Sequence, residues 1–355
     1  KEIMEESRCA TDALRGRVCF EPKGLVLPEV PFTGNEIKSF NRIVLAGMGT
    51  SLHAALVGQT MLERLTGIPV AVENASEFRY RDPVVDKKTL VVSIGQSGET
   101  VDTLVAMEEA KRRNSRVLAI CNTEDSQATR LADGTIMMRA GLEVGVAATK
   151  TFVNSVVCLY MLGVHLGIHC GRMSSESLQE IVQSLAHLPD LLGQVLESIS
   201  AYEMVARKFY DRSNFLYIGR GIQYPIAMEG ALKLKEISYI HAEGMPAAEM
   251  KHGPIALIDE DMPVVFIVTE RGFDKVMSNM QEVRARGGRI IIITTELSDE
   301  LKTYSEHIIQ VPRVHHCLQS VLTTIPLQLL AYHIAVIKGC NVDQPRNLAK
   351  SVTVE

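Results

Sequence analysis

The feature that most restricts the fold is a repeat of one kind of segment across the two halves of the chain. Arg42-Ile43-Val44-Leu45-Ala46-Gly47-Met48-Gly49 reads as a strand running into a glycine turn, and so does Asn214-Phe215-Leu216-Tyr217-Ile218-Gly219-Arg220-Gly221. A second strand follows in each half, Leu90–Ile94 and Pro263–Val268. A third pair, Val117–Cys121 and Arg289–Thr294, is entered each time from a helix rich in Lys and Arg. Strands alternating with helices of ten or more residues imply parallel βαβ units, and the long period implies two of them in tandem. The expected fold is therefore α/β, with two tandem doubly wound parallel-sheet domains. Their predicted limits are an N-terminal segment 1–35, a first domain 36–170, a helical linker 171–201, a second domain 202–340 and a C-terminal tail 341–355. In the linker, Ser174-Ser175-Glu176 supplies an N-cap, and Leu178, Ile181, Leu185 and Leu188 supply a buried face.

The 355 residues suffice for two cores, and 46% hydrophobic with 22% charged residues is the balance of a globular protein. A net charge of −5 argues against a broad nucleic-acid surface, so any phosphate site is local. Seven scattered cysteines without a CxxC pair point to reduced, mostly buried thiols in a cytoplasmic protein. The charged start Lys1-Glu2-Ile3-Met4-Glu5-Glu6 does not read as a signal peptide, and a first residue other than Met reads as part of something larger. The apolar helices Phe152–Leu166 and Ile325–Ile337 are too short and too polar for a bilayer and are expected in the core.

In open α/β sheets ligands sit at the carboxyl ends of the strands. There the first half places Gly95-Gln96-Ser97-Gly98-Glu99-Thr100, between a buried strand and the amphipathic helix beginning at Val101. Backbone N–H groups, the helix dipole and the hydroxyls of Ser97 and Thr100 make an anion site; the bland alternative is a capped turn without a ligand. The pattern is neither a Walker A loop nor GxGxxG, so a phosphate is implied and a nucleotide is not. The corresponding segment of the second half, Thr269-Glu270-Arg271-Gly272, lacks the small donors.

The second half offers Glu229, Lys233 and Glu236, spaced by four and three and so on one helix face. Exposed, such a stripe is a salt-bridge ladder worth about 0.2–0.5 kcal/mol per pair. His241-Ala242-Glu243 and Glu249-Met250-Lys251-His252-Gly253-Pro254 follow, read as a loop with small residues and Pro246. Glutamate, lysine and histidine near a phosphate site suit aldose–ketose isomerisation, with Glu236 shuttling a proton between adjacent carbons and His252 opening a sugar ring. His241, His315 and His316 have weaker claims, since a histidine pair before a helix is commonly a solvated turn and no third metal ligand is expected beside it. No metal and no cofactor are expected. The tail carries Lys350, an amine able to form a Schiff base with a ketone, although a polar tail can also be a frayed end.

Five segments together carry a resemblance. They are Gln96-Ser97-Gly98-Glu99-Thr100, Ser76-Glu77-Phe78-Arg79-Tyr80, the run from Glu229 to Tyr239, Lys251-His252-Gly253-Pro254, and the tail from Pro345 to Glu355. They resemble the isomerase domains of the glutamine–fructose-6-phosphate aminotransferases (glucosamine-6-phosphate synthases), a tandem SIS-domain family of flavodoxin-like sheets. The resemblance implies synthesis of glucosamine 6-phosphate from fructose 6-phosphate and ammonia, the ammonia coming from a glutaminase domain absent from this chain. It implies Glu236 as the proton-transfer base, Lys233 beside it, and Lys350 as the Schiff-base lysine. His252 is implied as the ring-opening histidine of the neighbouring subunit, and hence a homodimer with shared sites. Thr50, Ser51, Gln96, Ser97 and Thr100, with the backbones of Val146 and Ala349, fall on substrate and phosphate positions, Glu229 lies beside them, and the tail closes the site. No nucleic acid and no membrane partner are implied.

Two positions depart from the family at the phosphate site, Gly95 and Ala148, where serine is usual. Hydrogen bonds to a charged group contribute about 1.5–3 kcal/mol each, so two missing hydroxyls cost on the order of 3–5 kcal/mol, partly recovered by water. Met245-Pro246 and Ala248 also differ from the usual catalytic loop. Two rival readings are a stand-alone glucosamine-6-phosphate deaminase/isomerase of the same fold and a non-catalytic sugar-phosphate sensor.

Overall fold

The computed structural model describes residues 1–20, 23–305 and 307–351. Two units divide the chain. The first comprises Lys1–Glu143, Ala148–Pro189 and the tail from Ala349, and the second comprises Val144–Ala147 and Asp190–Leu348.

The first unit opens with helix α1 (Glu6–Leu14) and an antiparallel ribbon, β1 (Val18–Phe20) with β2 (Lys23–Leu25). Its main sheet contains β3 (Arg42–Gly47), β4 (Val70–Asn74), β5 (Thr89–Ile94), β6 (Arg116–Cys121) and β7 (Gly134–Met137). All neighbouring pairs are parallel, in the order β4-β3-β5-β6-β7. Between them run α2 (Gly34–Ser39), α3 (Thr50–Thr66), α4 (Ala75–Phe78), α5 (Val101–Arg112) and α6 (Gln127–Leu131), and α7 (Lys150–His169) follows. Every residue of β5 is buried, as a β-branched strand covered on both faces requires.

Helix α8 (Ser175–Glu197) begins as expected, with Ser174 Oγ accepting the Ser177 N–H at 3.1 Å. Ile181, Leu185 and Leu188 are buried along it. The boundary between the units falls inside it, at Pro189.

In the second unit α9 (Ile199–Phe209) leads to β8 (Asn214–Gly219), α10 (Tyr224–Ser238) and β9 (His241–Pro246). Next come β10 (Pro263–Val268), α11 (Phe273–Arg284), β11 (Arg289–Thr294), α12 (Asp299–Tyr304), β12 (His307–Gln310) and α13 (Gln319–Ile337). The sheet order β9-β8-β10-β11-β12 repeats the topology of the first sheet strand for strand, again all parallel. The chain therefore carries two copies of the 2-1-3-4-5 doubly wound sheet.

The repeat extends to backbone detail. A Cβ on Gly47 would come within 2.9 Å of the Ser51 backbone, and one on Gly219 within 2.1 Å of the Gln223 carbonyl. Only glycine lets the next helical turn sit so close to the strand end. Two residues on, Gly49 and Gly221 both adopt positive φ, +50° and +58°.

One sequence expectation is corrected here. His241–Pro246 is not loop but an edge strand, paired in parallel with β8, and two 3-10 turns, Glu249–His252 and Pro254–Leu257, follow it. Its apolar alternation is hidden because Gly244 lies against α10, where a Cβ would come 2.4 Å from the Met228 Cα. Pro246 is tolerated because the strand is at the sheet edge.

Helices α7 and α13 are long and apolar enough to cross a membrane, but 94% and 78% of their most apolar stretches are buried within the protein. Both are core helices.

Candidate active site

In the first unit the chain reverses direction between β3 and β5, which makes the crevice beyond their carboxyl ends the topological switch point. Two helices begin there. Thr50 and Ser51 form the first turn of α3, and Gln96–Thr100 lead into α5. The loop is held from behind: Gly95 N–H donates to the Ile120 carbonyl, Asn122 N–H to Gln96 and Ala128 N–H to Gly98, each at 3.0 Å. Gly98 has φ +68°, and a Cβ there would lie 2.2 Å from Ser126 Oγ. Ser97 Oγ accepts the Glu99 N–H at 3.2 Å, and the Glu99 carboxylate accepts from the Gln127 backbone and side chain at 2.9 and 2.7 Å. Glu99 is thereby turned onto α6, and the half-buried Gln96, Ser97 and Thr100 remain at the switch point. A Cβ at Gly95 would meet nothing within 4 Å.

In the second unit, the stripe on α10 is not the surface ladder that spacing alone permits. Glu229 and Lys233 are buried, and Lys233 Nζ lies 3.2 Å from Glu229 Oε1 and 2.6 Å from Glu236 Oε2. Gly230 presses this helix onto Tyr217 and Leu327, which sinks the stripe into the core. Burial by itself would lower the Lys233 pKa, but the two flanking carboxylates outweigh it and the net shift is upward. Lys233 is thus a fixed ammonium, not a base. The Glu236 side chain is 20% exposed although its Oε2 is enclosed against Lys233, so the carboxylate is clamped at one oxygen and accessible elsewhere. One buried cation between two carboxylates leaves a net negative charge and a group positioned to accept a proton.

The described part of the tail is anchored at Asp343, Arg346 and Lys350, each within a single unit. In the second unit the Arg346 N–H donates to Tyr239 Oη at 2.9 Å, and its guanidinium lies 4.2 Å from the centre of that ring. Tyr239 ends α10 in the left-handed conformation, φ +61°. In the first unit Lys350 Nζ lies 2.5 Å from Glu143 Oε2. Glu143 is a residue that the sequence reading missed. Buried at the N-terminus of α7, it accepts the N–H groups of Thr149 and Thr151 at 3.0 and 3.2 Å and the Thr151 hydroxyl at 2.8 Å. Ala349, beside Lys350, is exposed. Lys150, also buried, ties the same region to Glu5 at 2.8 Å and to the Leu142 carbonyl at 2.7 Å. The Val146 N–H, in the second unit, donates to Asp343 O at 3.0 Å, so the group its backbone can offer a ligand is the carbonyl.

His252 is exposed on the 3-10 turn Glu249–His252, and His241 is exposed on β9. The expectation that no third ligand accompanies His315 and His316 is corrected: Cys317, next in the chain, brings its Sγ to 3.2 Å from His316 Nε2. Among the described residues none of the seven cysteines is in a disulfide, four are buried, and burial pushes the thiols of Cys9, Cys121 and Cys158 up to about 11.

Comparison with known proteins agrees with this architecture. The SIS domain family matches residues 36–165 and again 208–338. Glutamine–fructose-6-phosphate aminotransferase (isomerizing) of Bacteroides thetaiotaomicron is 48% identical over the whole of this chain, and its Thermus thermophilus counterpart is 46% identical. The chain spans 58% of the length of each of these two relatives. Among solved structures, the C-terminal domain of glucosamine-fructose-6-phosphate aminotransferase from Francisella tularensis superposes with a TM-score of 0.90 at 36% identity, covering 97% of both chains. Glucosamine-6-phosphate deaminase from Thermotoga maritima shares the fold, with a TM-score of 0.76 at 20% identity over 99% of this chain and 98% of its own. The chain belongs to the SIS-domain family, as a tandem pair of SIS domains corresponding to the C-terminal, isomerase domain of these aminotransferases.

Proposed function

We propose that this chain converts fructose 6-phosphate and ammonia to glucosamine 6-phosphate. The observation that carries the reading is the match, over 97% of both chains, to a solved C-terminal domain of such an aminotransferase. The geometry is consistent with it. Condensation of an amine with the ketone at carbon 2 gives an imine and water; once ammonia has displaced that amine, moving a proton from carbon 1 to carbon 2, with the O1 proton passing to nitrogen, converts the ketimine to the amino-aldose. Glu236 takes the proton from carbon 1 and returns it at carbon 2, while the Lys233 ammonium, 2.6 Å away, holds the carboxylate in place. Thr50, Ser51, Gln96, Ser97 and Thr100 bind the phosphate at two helix N-termini. Lys350 holds the ketose as an imine before ammonia displaces it. His252, on an exposed turn, opens the sugar ring in the neighbouring subunit of a homodimer. Glu229 fixes Lys233, and the Val146 carbonyl and the Ala349 backbone contact the sugar.

The test is ammonia-dependent formation of glucosamine 6-phosphate from fructose 6-phosphate by this chain, read as hexosamine. Product that rises with ammonium and disappears in Glu236→Gln supports the reading. Hexosamine phosphate consumed but never formed at high ammonium supports the deaminase alternative, and ligand binding without turnover supports the sensor.

A further inference from the structure

We propose that His315, His316 and Cys317 form a binding site for a zinc-type divalent metal ion. One donor atom from each residue lies within 4.8 Å of the others, and His316 Nε2 is already 3.2 Å from Cys317 Sγ. Tetrahedral zinc, with bonds of about 2.0–2.3 Å to nitrogen and sulfur, holds its ligands about 3.3–3.8 Å apart. The His316–Cys317 pair is thus already at about that spacing, and even the widest separation needs to close by no more than about 1–1.5 Å. Two imidazoles and a thiol are the donor set that such a borderline-soft ion prefers.

The turn bearing them is fixed before any ion arrives. Leu318 N–H donates to the His315 carbonyl at 2.7 Å, and Ser320 Oγ to the Cys317 carbonyl at 3.1 Å. The buried Gln319 side chain accepts the Val314 N–H at 3.1 Å and donates to the Pro312 carbonyl at 3.0 Å, bracketing the loop. Cys317 is fully buried and the two histidines are half-buried, so the ion would be shielded from bulk water on the sulfur side. The ring centres of His315 and His316 stand 4.4 Å apart.

The turn follows β12 and enters α13, whose Thr323 Oγ1 donates to Gln223 Oε1 at 2.7 Å just beyond the end of β8. It thus lies at the carboxyl edge of the second sheet, where doubly wound sheets place ligands. Three protein donors leave one tetrahedral position for water or an anion. Binding is balanced as the thiol and the aquo ion giving a thiolate–metal bond, with one proton and the displaced waters released, so affinity rises with pH.

The test uses the whole chain after dialysis against a chelator, titrated with Co²⁺ and then Zn²⁺. The expected result is one equivalent of Co²⁺ bound with a near-ultraviolet thiolate-to-cobalt band, bleached by Zn²⁺. Cys317→Ser loses the band, and His316→Ala weakens binding more than about tenfold, with unchanged circular dichroism in both. A band that persists in Cys317→Ser, or no stoichiometric uptake by the unaltered chain, overturns the proposal. Should Cys317→Ser fail to fold, His315→Gln at the half-buried position takes its place, and full cobalt affinity in that variant overturns the proposal.

Discussion

Lys233 and Glu236, three residues apart on α10, form an ion pair of 2.6 Å in which the lysine is buried and the glutamate is not. The same ammonium also meets Glu229, which is wholly enclosed. The pair orients the group proposed to move the proton, and it makes that part of α10 dependent on one charge balance. Removing the lysine takes the compensating cation away from the buried Glu229 carboxylate, and breaking a buried ion pair from one side costs about 3–5 kcal/mol. Lys233→Met should therefore lower the melting temperature sharply, and adding Glu229→Gln should recover part of the loss. Additive losses in the double variant would show that the two charges do not compensate each other.

Gly95 stands where open space would receive a side chain. If the switch point binds the sugar phosphate, Gly95→Ser adds a hydroxyl donor worth about 1.5 kcal/mol or more against a charged oxygen. KM for fructose 6-phosphate should fall about tenfold with little change in kcat. An unchanged KM would place the phosphate elsewhere.

His165, within α7, has its pKa lowered to about 4, first by burial and second by the nearby His169, whose ring centre is 4.8 Å away. The folded state thus resists a proton that the unfolded chain accepts at the ordinary value of 6.5. The contribution to stability is complete above about pH 6.5 and is lost as the pH falls to about 4. Chemical-denaturation stability measured across that window should slope less steeply in His165→Gln. An identical slope would remove His165 as the source.

Lys350 is held by Glu143, and its proposed role is to form an imine with the open-chain ketose, releasing water. Borohydride added with fructose 6-phosphate should fix the sugar on the tail peptide, detected by mass, and Lys350→Arg should abolish the adduct. An adduct on another lysine would reassign the role.

The sequence reveals the six interior strands and none of the four edges. β3, β5, β6, β8, β10 and β11 are continuous apolar runs because both faces are covered. β4, β7, β9 and β12 lie at the sheet edges; β4 ends in Glu73 and Asn74, and β12 has only Ile308 and Ile309 between His307 and Gln310. Edge strands carry fewer buried positions, so their period fades, and in β9 a glycine required by helix packing removes what was left. At the candidate site, the α10 stripe and the Gln96–Thr100 loop are legible from spacing, since both are local. Glu143 and Lys150 are not, because their partners lie far along the chain, at Lys350 and Glu5. Cys317 was visible beside the histidines but not its convergence with them, which depends on the turn closed by Leu318 and Gln319. The expected limits of the two domains, 36–170 and 202–340, remain a proposal.

The most direct measurement is proton NMR of fructose 6-phosphate incubated with this chain in D₂O without ammonia. The account predicts deuterium entering at carbon 1 as glucose 6-phosphate appears, with the rate in Glu236→Gln reduced by about 10²–10⁴-fold. Exchange that proceeds equally fast in Glu236→Gln would contradict the assignment of the base. No exchange in a folded chain that still binds the sugar phosphate would contradict the isomerase reading itself.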